Sequence, residues 1–126
     1  MKQGPTVTQK SPQSIVRLVK ALKYSLQGLK SALKNEAAFR EEMLLSIVLI
    51  PVAFWVDVSH VERILLIGSV LLVGIVELLN SAVEATVDRI GSEWHELAGR
   101  AKDMGSAAVL ITVLLAIYTW LQILFF

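Results

Sequence analysis

Three apolar blocks separated by polar segments occupy the chain after residue 42. They cover residues 43–56, 64–87 and 104–126. The second and third blocks reach the ~20 residues that a helix needs to cross a membrane. The first has only fourteen, so its helix either continues back through residues 37–39 or crosses a thin region of the membrane with little tilt. The pattern predicts three membrane-spanning helices, at about residues 37–56, 62–87 and 103–126.

A different pattern precedes these blocks. Between residues 14 and 34, apolar side chains recur every three or four positions and basic side chains occupy the opposite helical face. A basic amphipathic helix of this kind lies in the membrane interface, with its leucines in the acyl boundary. The alternative interpretation is a helix packed on a protein partner. Residues 1–13 are polar and proline-containing, and we predict that they form a flexible tail.

The composition supports an integral membrane protein of the all-α class. The 126 residues are one domain's worth of chain, and 55% of them are apolar, against roughly 45–50% in soluble domains. Because the chain has no cysteine, it has neither disulfides nor a thiolate nucleophile. We therefore expect one membrane domain over residues 14–126, a helical bundle with a surface helix and three spans.

Charge is distributed unevenly along the chain and predicts its orientation. Residues 1–40 contain eight Lys or Arg and one acidic residue, whereas residues 41–126 contain four and ten. The basic segment and the connector at 88–103, which has three cations, are predicted to face the cytoplasm. The short loop at 57–63 and the C-terminus would then be external. Trp55, Tyr118 and Trp120 fall where an outer aromatic belt would lie.

The second predicted span carries polar residues on one helical face. Glu77 is followed at three, four, seven and eleven positions by Asn80, Ser81, Glu84 and Asp88. A carboxylate within a membrane span is costly, so this face predicts a bound cation, a proton site or a polar partner. The charge distribution puts the face at the cytoplasmic border of the membrane.

Phosphoryl transfer is one chemistry that this acidic face allows. Glu36 with Glu84 could supply the one or two carboxylates that Mg²⁺ takes beside substrate phosphates. Glu77 lies deeper, where a lipid hydroxyl would be, and could accept its proton. Asn80, between the two glutamates of the span, could orient either carboxylate or the hydroxyl. The chain has no P-loop and no protein kinase motif, so a nucleotide site would be of another kind.

Two other classes of function remain open at this point. The polar face could be an interhelical cluster that only stabilises an oligomer, or it could be a proton or cation path through a small transporter. The charged connector at 88–103 argues against both, because neither needs it. No nucleic-acid partner is expected.

Three segments resemble the prokaryotic diacylglycerol kinase family. They are NEAAFR at 35–40, ELLNSAVEA at 77–85 and VDRIGSEWHELAGRAKDMGSAAVL at 87–110. The resemblance extends from about Arg17 to the C-terminus. It implies a homotrimer in the bacterial inner membrane that uses ATP and Mg²⁺ to phosphorylate diacylglycerol, giving phosphatidate for phospholipid recycling. The related undecaprenol kinases share the glutamate–asparagine core and are the nearest alternative.

The resemblance also implies roles for individual residues. Glu77 would be the general base, supported by Asn80, and Glu36 and Glu84 would hold the metal. Besides these two glutamates, the ATP site would comprise Arg17, Tyr24, Glu93, Trp94, His95, Lys102 and Asp103. The lipid would contact Arg17, Ala21, Ser25, Leu26, Lys30, Phe39, Glu42, Trp55, Glu77, Ser106 and Trp120. In such a trimer, the site would be shared between subunits.

Some of these assignments have simpler alternatives. His95 could be an ordinary surface histidine, and Lys102 with Asp103 could be an exposed ion pair. Arg17 lies on the basic face, where contact with lipid phosphate competes with contact to ATP. The two tryptophans would belong to the aromatic belt first and contact substrate second.

Overall fold

The fold consists of four consecutive helices. A computed structural model describes residues 10–91 and 93–126, with side chains from residue 13 onward. Within this part of the chain the helices are α1 (Lys10–Asn35), α2 (Ala37–Trp55), α3 (His60–Ile90) and α4 (Glu96–Phe125). These described ranges contain no strand, which confirms the all-α class. Helix α1 begins four residues before the predicted surface helix, and residues 1–9 of the predicted tail lie outside the described residues.

Helices α1 and α2 are separated by one extended residue, Glu36, with φ −117° and ψ 108°. The guanidinium group of Arg40 donates hydrogen bonds to the carbonyl oxygens of Leu33 and Lys34, at 2.9 and 3.0 Å. A cation in this position satisfies carbonyls that the last turn of a helix leaves unpaired. The corner between the two helices is thereby fixed, and it holds Glu36 half-buried.

Arg63 joins the end of α2 to the start of α3. Its guanidinium group donates four hydrogen bonds to backbone carbonyl oxygens, those of Ala53 (3.1 Å), Phe54 (3.3 Å), Val56 (3.2 Å) and Val58 (3.1 Å). Helix α3 starts with a capping box, in which Ser59 Oγ accepts from the Glu62 N–H and Glu62 Oε1 accepts from the Ser59 N–H. Together these contacts make the α2–α3 turn rigid.

We expect Arg63→Ala to destabilise the fold by roughly 1.5–3 kcal/mol, the range for hydrogen bonds that involve a charged group. Alanine leaves the four carbonyl oxygens without their shared donor. The free energy of unfolding in detergent micelles measures the effect. Arg100→Ala is the matched control, because Arg100 is exposed on α4 and its loss should change stability by at most about 0.5 kcal/mol. Equal losses in the two variants would contradict a capping role for Arg63.

Helix α3 is the centre of the bundle and packs against both α2 and α4. Its buried residues share one face, because they follow each other at intervals of three or four: Leu66, Ser69, Val70, Val73 and Glu77. Phe39 of α2 is buried, as is Thr112 of α4. Most large apolar side chains of all four helices remain exposed in the single chain. The core is therefore a narrow seam, and the remaining apolar surface is available to lipid or to other subunits.

Two helices of the described chain, α3 and α4, are long and apolar enough to cross a membrane. They have 31 and 30 residues. Helix α2 has 19 residues, or ~28 Å at ~1.5 Å per residue, and its first turns carry Arg40, Glu41 and Glu42. The second and third predicted spans thus correspond to apolar helices of sufficient length, whereas a span by α2 stays a prediction.

The polar connector is shorter than the sequence pattern predicts. Helix α3 continues to Ile90 and ends at Gly91, whose φ of 157° is rarely adopted by other residues. Helix α4 begins at Glu96, seven residues before the predicted span, with His95 as its N-cap. Hydropathy marks where a helix becomes apolar and not where it begins. The polar residues 96–103 therefore resemble a connector in the sequence, although they are helical.

Candidate functional site

The acidic face of α3 runs from the protein interior to its surface. Glu77 is buried, with 8% of its surface exposed. Asn80, Ser81 and Glu84 are half-buried, and Asp88 is exposed. From Glu77 to Asp88 the helix rises by roughly 16 Å. The predicted order is therefore present, with Glu77 deepest and the other carboxylates progressively nearer water.

Carboxylates from three segments surround Glu77. Four carboxylates are near enough for their charges to act on it, those of Glu36, Glu41, Glu42 and Glu84. They come from the start of α2, from α3 itself and from the α1–α2 corner. The predicted convergence of acidic residues is thus present in a single chain. Such a cluster of like charges favours a cation or a proton in its midst.

The donor groups fit a magnesium ion that arrives with a nucleotide. Nowhere in residues 10–91 and 93–126 do three His, Asp or Glu side chains form a group that could hold a metal ion by themselves. Glu36 and Glu84, the predicted ligands, are both half-buried carboxylates that act on Glu77. Two carboxylates suffice for Mg²⁺ when substrate phosphates and water complete its shell.

Glu42 lies in an apolar groove between α2 and α3. The Ser46 hydroxyl is 3.0 Å from Glu42 Oε2 and 2.9 Å from the Glu42 carbonyl oxygen, so its single proton is shared between them. On the α3 side, a Cβ atom at Gly74 would be 3.1 Å from Glu42 Oε1. The groove has a volume of about 620 Å³, and its other lining residues are apolar: Leu29, Phe39, Met43, Ile47, Ile50, Pro51, Leu71, Ile75 and Leu78. The groove therefore combines apolar walls, which suit a lipid acyl chain, with the carboxylate of Glu42, which Ser46 holds in place.

A second groove, of about 680 Å³, separates the C-terminal half of α1 from α3. Ser25 and Glu36 line it, together with Ser81 of the acidic face. The predicted metal ligand Glu36 and the predicted lipid contact Ser25 therefore face the same space. This groove connects the surface helix to the acidic face.

The break between α3 and α4 forms a third cleft, of about 550 Å³. Glu93, Trp94 and His95 line it, and contact of these three residues with ATP stays a prediction. The Nδ1 atom of His95 accepts a hydrogen bond from the Leu97 N–H at 3.0 Å. His95 is therefore a helix cap as well as a lining residue, and its Nε2 atom is the one available to a ligand.

Lys102 pairs with Asp88 and not with the adjacent Asp103. Its Nζ atom is 2.7 Å from Asp88 Oδ1, and the pair joins the polar start of α4 to the end of the acidic face. Both side chains are exposed, so solvent screens the pair and its contribution to stability is small. Hydrogen bonding to Asp88 raises the pKa of the Lys102 ammonium group, which stays a cation at neutral pH.

Several predicted contacts are not gathered with this cluster in a single chain. All the predicted residues of α1 are exposed, although Ser25 also lines the groove between α1 and α3: Arg17, Ala21, Tyr24, Ser25, Leu26 and Lys30. Trp55 is 85% exposed at the end of α2. The Trp120 N–H lies 3.2 Å from both the Leu66 carbonyl oxygen and Ser69 Oγ, near the opposite end of α3 from Glu84. Lipid contact by these two tryptophans stays a prediction.

Comparison with known proteins decides the family. A family model described as prokaryotic diacylglycerol kinase matches residues 23–124, which is most of the chain. The chain belongs to this family. Its members are lipid kinases, so the predictions of an enzyme and of its class are confirmed.

Relatives from three bacteria, each named diacylglycerol kinase, show how far the similarity extends. The Escherichia coli (strain K12) protein is 60% identical over 104 residues, which cover 82% of this chain and 85% of the relative. The Haemophilus influenzae protein is 57% identical over 112 residues, covering 89% and 95%. The Pseudomonas aeruginosa protein is 52% identical over 115 residues, covering 91% and 94%. The chain thus matches nearly the full length of these kinases.

Two site residues were missed by sequence reasoning. Ser46 lies one turn after Glu42 within an apolar block, and this isolated hydroxyl was a usable signal. Gly105 lies in α4 beside the predicted lipid contact Ser106, and Asn80 of α3 packs directly on it. A glycine inside an apolar helix indicates close approach of a neighbour, but the sequence does not identify that neighbour.

Proposed function

We propose that the protein transfers the γ-phosphoryl group of ATP to the free hydroxyl of diacylglycerol, giving phosphatidate, at the cytoplasmic face of the bacterial inner membrane. The observation that carries the proposal is the path of the acidic face. At its deep end, Gly74 and Leu78 flank Glu77 on α3 and line the apolar groove. At its exposed end lie Asp88 and the cleft at the α3–α4 break. A membrane-bound hydroxyl and a water-soluble nucleotide therefore have access to opposite ends of one helix face.

Glu77 acts as the general base in this proposal. As the lipid hydroxyl oxygen attacks the γ-phosphorus, Glu77 accepts the hydroxyl proton, the bond to the β–γ bridging oxygen breaks and ADP leaves. Burial keeps the carboxylate away from bulk water, and its helix neighbours Gly74 and Leu78 line the groove. Asn80, one turn further along α3, orients the carboxylate or the hydroxyl. Proton transfer by a positioned side chain typically contributes ~10²–10⁴-fold to rate.

The nucleotide is held at the exposed end of the face. Glu36 and Glu84 hold the Mg²⁺ ion, which when bound neutralises phosphate charge. The Lys102 cation attracts the phosphates, and Trp94 with His95 offers an aromatic and hydrogen-bonding surface for the nucleoside. The remaining proposed contacts to ATP are Arg17, Tyr24, Glu93 and Asp103.

We also propose that the functional unit is a homotrimer with α2, α3 and α4 spanning the membrane, the N-terminus cytoplasmic and the C-terminus external. The narrow core of the single chain and its many exposed apolar side chains support further burial against lipid and other subunits. Arg17 and Tyr24 project from α1 without covering the acidic cluster of their own chain. In a site shared between subunits, Arg17 and Tyr24 would contact a nucleotide bound at the acidic cluster of a neighbouring subunit.

Phosphorylation of a lipid panel in mixed micelles tests the substrate. Diacylglycerol, undecaprenol, ceramide and monoacylglycerol are offered separately with Mg-ATP, and EDTA provides the metal-free control. We expect the highest kcat/KM with diacylglycerol and no transfer in EDTA. A strong preference for undecaprenol would move the protein to that sister group, and transfer to none of the lipids would overturn the proposal.

A further inference from the structure

Helices α3 and α4 are in close contact where Asn80 meets Gly105. A Cβ atom at Gly105 would overlap Asn80 Oδ1 and lie 3.2 Å from Asn80 Cγ. Asn80 Oδ1 is buried, and among the described residues no group donates a hydrogen bond to it. Packing against the bare backbone of Gly105, and not hydrogen bonding at Oδ1, therefore fixes the orientation of this carboxamide.

We propose that Gly105 is a positioning residue for the reaction, because its missing side chain leaves the notch that holds the Asn80 carboxamide on the acidic face. This inference rests on the proposed function, in which Asn80 acts between Glu77 and Glu84. Asn80 is three residues after the first glutamate and four before the second, so it lies on the same helical face as both. A side chain added at Gly105 would therefore move the Asn80 carboxamide, which lies between the proposed base and the proposed metal ligand.

Other glycines of the bundle show that this constraint is local. Gly68 lies within α3, and a Cβ atom there would have no heavy atom within 4 Å apart from its chain neighbours and the nearby backbone of its own helix. Alanine is a better helix former than glycine at both positions, so helix propensity cannot explain a loss at Gly105 alone. The atoms in the way at Gly105 are the end of a side chain, which moves more easily than two helix backbones. Gly105→Ala is therefore expected to displace the carboxamide and to leave the fold intact.

A double-mutant cycle tests the inference. Wild type, Gly105→Ala, Asn80→Ala and the double variant are assayed for kcat, for KM of ATP and lipid, and for the midpoint of thermal unfolding. We expect Gly105→Ala to lower kcat about tenfold, with both KM values within about twofold, because misplacement of a supporting group mainly affects the reacting geometry. The double variant should be no slower than Asn80→Ala, because the two Cβ atoms would be 3.8 Å apart and in ordinary contact. Gly68→Ala should match wild type.

The outcomes separate the inference from the proposed function. Wild-type kcat in Gly105→Ala, or losses that multiply in the double variant, would overturn the positioning role. Full kcat in Asn80→Ala would instead contradict the catalytic role of Asn80. In that case the midpoints of thermal unfolding decide whether Gly105 positions this side chain. If Gly105→Ala lowers the midpoint in the wild type but not in the Asn80→Ala background, the contact is supported. If it lowers the midpoint equally in both backgrounds, the contact is refuted.

Discussion

Replacing Glu77 with glutamine is expected to leave nucleotide binding intact and to reduce turnover by at least ~10²-fold. Glutamine has nearly the same shape and fills the same buried position, but it cannot accept the proton of the lipid hydroxyl. Equilibrium binding of a non-hydrolysable ATP analogue and the steady-state rate of lipid phosphorylation measure the two effects on the same preparation.

Glu96→Gln is the matched control for this variant. Glu96 is exposed in the first turn of α4 and loses the same charge, but it lines none of the three grooves. Its turnover should stay close to wild type. Near-wild-type turnover in Glu77→Gln would remove Glu77 from the role of base.

The second large effect concerns Mg²⁺. Glu84→Gln and Glu36→Gln are each expected to raise the Mg²⁺ concentration for half-maximal activity by at least ~10-fold, since loss of even an outer-shell partner of a metal site typically costs ~10–100-fold in affinity. Removing one of two carboxylates also halves the ligand charge that the ion meets. Titration of activity with Mg²⁺ at fixed ATP gives the measurement.

Glu41→Gln is a demanding control for the Mg²⁺ titration. Glu41 is exposed, yet its charge also reaches Glu77. If general negative charge alone attracts the ion, Glu41→Gln will shift the Mg²⁺ curve as much as the other two variants. If Glu36 and Glu84 are direct ligands, the control will shift it by less than about threefold.

The helices were largely predictable because burial in a membrane imposes long apolar blocks. The start of α4 at Glu96 was not, since a helix that extends into water keeps its hydrogen bonds while its composition becomes polar. The roles of Arg40 and Arg63 also escaped prediction. Both cap carbonyls of a preceding helix, and the geometry of the intervening turn decides which carbonyls are within reach.

For the candidate site, the spacing within α3 was sufficient to predict one polar face with Glu77 at its deep end. The spacing does not predict which side chains of α3 contact which side chains of α4, because these contacts depend on how the two helices align. The alternative of an exposed pair between Lys102 and its neighbour Asp103 is therefore wrong, because the bundle brings Lys102 to Asp88. The contact between Asn80 and Gly105 depends on the same alignment.

Quantifying both products of one reaction shows whether the acidic face joins Mg-ATP to a lipid hydroxyl. Purified protein in mixed micelles with diacylglycerol is supplied with Mg-ATP labelled in the γ-phosphoryl group, and phosphatidate and ADP are quantified together. We expect labelled phosphatidate in a one-to-one ratio with ADP. Release of ADP and free phosphate without labelled phosphatidate, or no consumption of ATP at all, would contradict it.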